Sequence, residues 1–194
     1  MGEWIFKSIS LSFFSDQAVH IAGSNGSGKS TLLKTISGIT LPSIGRVNYF
    51  HGEEMLNADQ KSNYTAICAP FIQLFDHHLV NEAVAFHMAL SPLRGGMTRE
   101  ELLSCCYLEN SALKRVGDLS SGMKQRLKIA LTILSAKPVL LLDEPCSNLD
   151  DQAVEWYQKL LRENSKGKLL LISSNNKEEE HFICKKSINL ADFK

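Results

Sequence analysis

The hydrophobic pattern of the chain is dominated by two unbroken apolar runs, Val139-Leu140-Leu141-Leu142 and Leu169-Leu170-Leu171-Ile172. Runs this short and continuous, separated by a stretch with helical spacing, predict parallel strands buried on both faces. Residues 18–22 predict another strand, leading into a glycine-rich loop, and residues 46–50, 64–68 and 187–190 predict further strands, the last at a sheet edge. Residues 4–13 place apolar side chains at nearly every second position, the period of a strand with one buried face. Helical spacing covers residues 32–37, stopping at Gly38, and then 81–90, 98–107, 121–136, 150–162 and 177–184. Ser91-Pro92-Leu93-Arg94-Gly95-Gly96 breaks the second of these from the third, and Ser120 or Ser121 caps the fourth. The expected fold is α/β: a mainly parallel sheet core, an N-terminal antiparallel β portion, and a small helical subdomain at about residues 71–118, all within one domain spanning 1–194.

Composition narrows the partners. The 194 residues are 44% hydrophobic, ample for one large core. Lys and Arg number 21 and Asp and Glu number 21, so no global positive field favours nucleic acid. No apolar run approaches the ~18 residues that a membrane span needs. The N-terminus lacks the ordered basic, apolar and small-residue segments of a signal peptide, so the cytoplasm is the expected compartment. The five cysteines form no C-x-x-C pair and read as reduced thiols. His77-His78 has no second ligand cluster near it and reads as a solvated loop.

Three segments carry chemistry. Gly23-Ser24-Asn25-Gly26-Ser27-Gly28-Lys29-Ser30-Thr31 fits G-x-x-x-x-G-K-[ST] at every fixed position and sits between a predicted strand and a predicted helix. Glycines let such a loop approach a ligand closely, and its N–H groups and the helix dipole converge on phosphate oxygens. Lys29 is placed to reach β- and γ-phosphates, and the Ser30 hydroxyl to ligate Mg²⁺. The run 139–142 delivers Asp143 and Glu144 to a strand's C-terminal end, where α/β sheets bind ligands. Asp143 is expected to hold Mg²⁺ through water and Glu144 to polarise an attacking water as general base. Leu119-Ser120-Ser121-Gly122-Met123 opens a helix and reads, taken alone, as a cap.

Together the three segments resemble the nucleotide-binding domain of ABC transporters, over nearly the whole chain. Gly23 to Thr31 is similar to Walker A; Gly38, Pro42 and Gly45 match the turn after its helix. LSSGM at 119–123 resembles the signature LSGGQ, with Ser121 and Met123 as departures. Residues 140–145 resemble Walker B with the catalytic glutamate, and Ser147-Asn148-Leu149-Asp150 the D-loop. The resemblance implies a phosphate-loop NTPase fold, ATP and Mg²⁺ as cofactors, and ATP hydrolysis. It implies a head-to-tail pairing of two nucleotide-binding domains, homo- or heterodimeric, in which Ser120 and Gly122 complete the partner's site. It puts Asn175 at the position of the family's switch histidine, next to the γ-phosphate. Pro70 is followed by Phe71, so Gln73 is the nearest glutamine for the metal contact of the Q-loop. The chain starts too late for the aromatic that the family stacks on adenine; Trp4 is either its substitute or a core residue.

The resemblance further implies a transmembrane permease subunit as partner, with this chain on the inner face of the cell membrane. The short C-terminus, without room for a regulatory domain, leans towards export. Phe71, Ile72, Leu74 and Phe75 put four large apolar side chains in five positions, more than one face buries, and this stretch is expected to form a docking surface rather than a turn tucked under the insertion. Two other readings stay open: a soluble ABC-type ATPase, as in cluster assembly, and an ATP-sensing module that barely hydrolyses.

Overall fold

The apolar runs pair side by side, and every strand of the central sheet is parallel. The computed structural model describes residues 4–175 and 177–193, with the side chains of Ala58 and Asp59 left aside. Along the chain lie β1 (Ala18–Ala22), α1 (Lys29–Ser37), β2 (Phe50–His51), β3 (Glu54–Met55), α2 (Ala58–Tyr64) and β4 (Thr65–Cys68). Then come α3 (Val80–Leu90), α4 (Arg99–Cys105), α5 (Ser121–Ile133), β5 (Val139–Asp143), α6 (Asp151–Asn164), β6 (Leu169–Ser174), α7 (Glu178–His181) and β7 (Lys186–Asn189). The sheet order is β4-β5-β6-β1-β7, and β2 and β3 form a separate antiparallel hairpin.

Alternation along the buried strands divides the core in two. Leu140, Leu142, Leu170 and Ile172 face a cluster built with α3, α4, α5 and α6. Val139, Leu141 and Leu171 face the other side, with Val19, Ile21, Leu32, Leu33, Ile188 and Leu190. Covering both faces removes water from the central strands, so β5 has all five residues buried and its one polar residue, Asp143, stands at its C-terminal end. Gly38 ends α1 with φ 83, and its N–H returns to the Thr35 carbonyl; that left-handed cap suits glycine. Ser120 caps α5 by accepting from the Met123 N–H at 3.2 Å, and Asp150 caps α6 by accepting from Ala153 at 2.8 Å.

Register decides which loops meet. Asp143 pairs with Ser173 across β5 and β6, and Ala22 pairs with Ser174 across β1 and β6. Three chain segments therefore leave the sheet at one edge, side by side: the loop from Gly23, the turn from Glu144, and the turn from Asn175.

Several expectations are corrected. Residues 4–17 contain no strand. Phe6, Ile9, Leu11 and Phe13 do pack against the second cluster, but among the described residues the segment ties to the rest by single bonds such as Lys7 N–H to the Phe193 carbonyl at 2.7 Å. Its alternation reports an apolar face without a ladder partner. The antiparallel portion is the short hairpin, so the strand expected at 46–50 reduces to Phe50–His51. Trp4 is 49% exposed, against a core role. Three helices are shorter than their patterns: α4 stops at Cys105, α5 at Ile133 and α7 at His181. Helix α2 has no counterpart among the expected elements, although Asn57 and Gln60 form a capping box at its start.

Candidate functional site

The loop between β1 and α1 closes on its own lysine. Lys29 is only 6% exposed. Its ammonium donates to the carbonyls of Gly23 at 2.8 Å and Ser24 at 3.2 Å, and to Asn175 Oδ1 at 2.5 Å. Three acceptors match its three donors, which is what lets the charge stay buried. Gly28 has φ 102, and a Cβ there would lie 2.6 Å from Cγ2 of Ile5 and 3.3 Å from the Phe6 ring. So Ile5 and Phe6 are N-terminal side chains that abut the loop at Gly28. Asn25, Gly26 and Ser30 are exposed, and Ser24 with them; Thr31 is half-buried. The start of α1 has no side-chain cap and no acid in its first turn. Its N–H groups, the positive dipole end and Lys29 together form an anion site open to solvent. Ser27 Oγ is buried with no hydrogen-bond partner.

The carboxylates stand beside this loop. Asp143 is 1% exposed; its Oδ1 accepts from the Ser173 hydroxyl, and its Oδ2 is buried with no partner. An orphaned, buried carboxylate oxygen is a natural ligand for a hard divalent cation. Among the described residues no three His, Cys, Asp or Glu side chains cluster as metal ligands. A cation held there would draw its remaining ligands from phosphate, water and a hydroxyl such as Ser30, which is the habit of Mg²⁺. Gln73 is exposed, and no hydrogen bond among the described residues links it to this cluster.

Glu144 adopts φ 47, a left-handed conformation that costs roughly 1–2 kcal/mol in a residue with a Cβ. Its surroundings hold it there. The Glu144 N–H donates to the Ser173 carbonyl at 3.0 Å, and the Ser147 N–H returns to the Glu144 carbonyl at 3.1 Å. Gln125 Nε2 donates to the Pro145 carbonyl at 2.8 Å, and the Cys146 N–H donates to Glu180 Oε1 at 3.1 Å. Asn175 then joins the two halves of the site. While Oδ1 takes the lysine, Nδ2 donates to Glu144 Oε1 at 2.8 Å and to Asn25 Oδ1 at 2.5 Å. The amide orientation is fixed chemically, since an ammonium only donates and a carboxylate only accepts.

Ser120 and Gly122 do not join this cluster. They line a separate cleft of about 490 Å³ with Met123, Arg126, Asn148 and Trp156. The apolar stretch after β4 is not buried: Phe71, Ile72 and Leu74 are half-buried and Phe75 is 58% exposed. The Phe75 ring meets exposed Phe86 edge-on at 5.9 Å, and Lys34 lies 4.2 Å over the Phe71 ring. Gln125 and Glu180, the supports of the Glu144 turn, carry no signal in the sequence, where each reads as an ordinary polar helix residue.

A phosphate loop after β1, facing an aspartate and a glutamate at the end of β5 in a parallel sheet, defines a phosphate-loop nucleotide-binding protein. The sequence profile described as ABC transporter matches residues 6–147, and the chain belongs to that family, among its ATP-binding subunits. The lipoprotein-releasing system ATP-binding protein LolD of Oleidesulfovibrio alaskensis is 32% identical over 183 residues, covering 89% of this chain and 79% of that protein. The Nod factor export ATP-binding protein I of Rhizobium johnstonii is 29% identical over 94% of the chain. The sulfate/thiosulfate import ATP-binding protein CysA of Photorhabdus laumondii is 32% identical over 82% of it. The chain spans 60% of the Nod factor protein's length and 46% of CysA's. Among solved structures, the ATP-binding cassette MJ0796, dimeric in a post-hydrolysis state bound to ADP and Pi, superposes with TM-score 0.79 at 24% identity, over 97% of this chain and 88% of that one. An ATP-binding subunit of an ABC transporter superposes with TM-score 0.80 at 22% identity, over 95% and 79% of the two chains. At those identities the superpositions speak for the fold.

Gly28→Ala meets both a left-handed backbone and the Ile5 side chain, and is expected to lower unfolding free energy by about 1–3 kcal/mol. Adding Ile5→Ala returns the steric share and leaves the backbone share. Urea denaturation of the two variants checks this; a Gly28→Ala midpoint equal to the parent's contradicts it.

Proposed function

We propose that this chain binds MgATP at the loop 23–31, hydrolyses it, and thereby powers a separate transmembrane permease. The observation that carries the reading is the convergence of Lys29, Asp143, Glu144 and Asn175 at one sheet edge, with the Asn175 amide bridging Lys29 and Glu144. In this reading Gly23, Ser24, Asn25, Gly26, Ser27 and Gly28 cradle the phosphates, and Lys29 exchanges its carbonyl acceptors for β- and γ-phosphate oxygens. A phosphate anion makes stronger, charge-assisted bonds with the ammonium than neutral carbonyls do. Ser30 and, through water, Asp143 would hold Mg²⁺, which would supply positive charge against the negative charge that develops on the phosphate. Glu144 takes a proton from the attacking water. Asn175, released from Lys29, donates its amide towards the γ-phosphate and the water.

Residues 1–194 act as one nucleotide-binding domain in which about 71–118 is the helical subdomain. Two such domains pair head to tail, so that Ser120 and Gly122, apart from the loop in their own chain, face the partner's γ-phosphate. The stretch Phe71, Ile72, Leu74 and Phe75, with exposed Phe86 against Phe75, docks the permease, since clustered exposed apolar side chains mark partner sites. No helix among the described residues is long and apolar enough to cross a membrane, which fits a subunit held on the inner face by that permease. Two of the relatives are named for export or release and one for import; we favour export.

Two measurements test the reading. Glu144→Gln keeps the shape of the side chain but cannot accept the proton, so hydrolysis is expected to fall by about 10²–10⁴. With ATP the variant is expected to elute as a dimer in size-exclusion chromatography. A monomeric variant that still hydrolyses contradicts both the base and the pairing. Asn175 can position but carries no charge, so the parent is expected to be a slow, real ATPase. Asn175→His is expected to raise kcat by about ten- to thirtyfold, the worth of one charge-assisted contact, with little change in ATP affinity. Steady-state rates for Asn175→His and Asn175→Ala both equal to the parent's would remove the residue from catalysis.

A further inference from the structure

Glu178, Glu179 and Glu180 follow one another at α7, yet only Glu180 is buried, at 1% exposure. Burial pushes its carboxyl above the usual carboxylate range. A carboxyl in that place is expensive to keep unless its hydrogen bonds do something an apolar residue cannot. Its contacts are specific. Oε1 accepts the Cys146 N–H at 3.1 Å, the Ser174 hydroxyl lies beside the carboxyl, and the Glu180 carbonyl accepts the buried Tyr157 hydroxyl at 2.7 Å. The next residue, His181, stacks on His20 of β1, with centroids 3.7 Å apart and planes 8° from parallel. Helix α7 is thus pinned on both sides, and Glu180 reaches from it to the turn after β5.

Cys146 lies two residues beyond Glu144, in the turn that keeps Glu144 left-handed. Gln125 of α5 grips the same turn at the Pro145 carbonyl. The Glu144 side chain, in turn, reaches the Asn175 amide at 2.8 Å. A left-handed non-glycine residue persists only where neighbours over-determine it, and these two side chains are the distant neighbours that do so. We propose that Glu180 is a positioning residue for hydrolysis: by holding the Cys146 N–H it fixes the turn that aims Glu144 at Asn175 and the water. The role rests on reading Glu144 as the general base. Glu180 touches neither substrate nor reacting atoms, so its effect falls on turnover and spares nucleotide binding, which the loop 23–31 performs.

The test compares Glu180→Ala and Glu180→Gln with the parent and with Glu144→Gln. Glutamine keeps an oxygen for the Cys146 N–H; alanine leaves that donor buried and unpaired. Glu180→Ala is expected to lower kcat by on the order of ten- to a hundredfold, the usual consequence of a misplaced catalytic group, with MgATP affinity unchanged. Glu180→Gln is expected to return most of the rate. Hydrogen exchange read at the Cys146 amide gives a second measure, independent of turnover: protected in the parent and in Glu180→Gln, fast in Glu180→Ala. If the parent hydrolyses and Glu144→Gln does not, while Glu180→Ala keeps full kcat, the positioning role is wrong and the functional reading stands. Equal losses of kcat, ATP affinity and thermal midpoint in Glu180→Ala, with no recovery in Glu180→Gln, also overturn it, as a general loss of fold. A parent without ATPase activity, or Glu144→Gln as fast as the parent, overturns the functional reading and this role with it.

Discussion

The β5–β6–β1 register sets Asp143 beside Ser173 and Ala22 beside Ser174. Parallel strands all end at the same edge, so this pairing forces three loops from distant parts of the sequence into contact. Ser173 shows how tightly the edge is knit: its hydroxyl holds Asp143 and its carbonyl holds the Glu144 N–H. A one-residue slip between β5 and β6 would turn Leu140 and Leu142 to the wrong cluster and carry both acids away from the loop. The hydrophobic partition of the two faces is therefore also what specifies the geometry of the site.

On that frame, charge is managed by pairing. Lys29 is buried against three acceptors, while Asp143 keeps one oxygen unpaired. The first arrangement is satisfied yet exchangeable, because a phosphate offers the same geometry with more charge. The second is unsatisfied and suited to a cation. Asn175 couples them: it cannot serve a phosphate without leaving Lys29, nor move without affecting Glu144. In the proposed mechanism nucleotide binding and the placement of the base are thus one rearrangement.

Much of this is legible in the sequence, for reasons that can be named. Strands β5 and β6 are readable because burial on both faces leaves unbroken apolar runs. Lys29, Asp143 and Glu144 are readable because their spacing within a strand and a loop is local. The segment 4–13 misleads because period 2 reports an apolar face and says nothing about a hydrogen-bonded neighbour; Phe6, Ile9, Leu11 and Phe13 have the face alone. Helix α2 escapes notice because its sequence, ADQKSNY, has almost no apolar side chains to set a period. The bridge from Asn175 to Lys29 spans 146 positions, beyond any local pattern. Glu180 is invisible among three glutamates, since only the docking of α7 decides which of them turns inward.

In the proposed mechanism the loop's self-paired lysine is the ligand for ATP phosphate. Calorimetric titration of MgATP into the parent and Lys29→Ala tests it most directly. Saturable binding is expected for the parent and none in the same range for the variant, whose loop offers N–H groups but no buried positive charge. Equal affinity in the two proteins would contradict it.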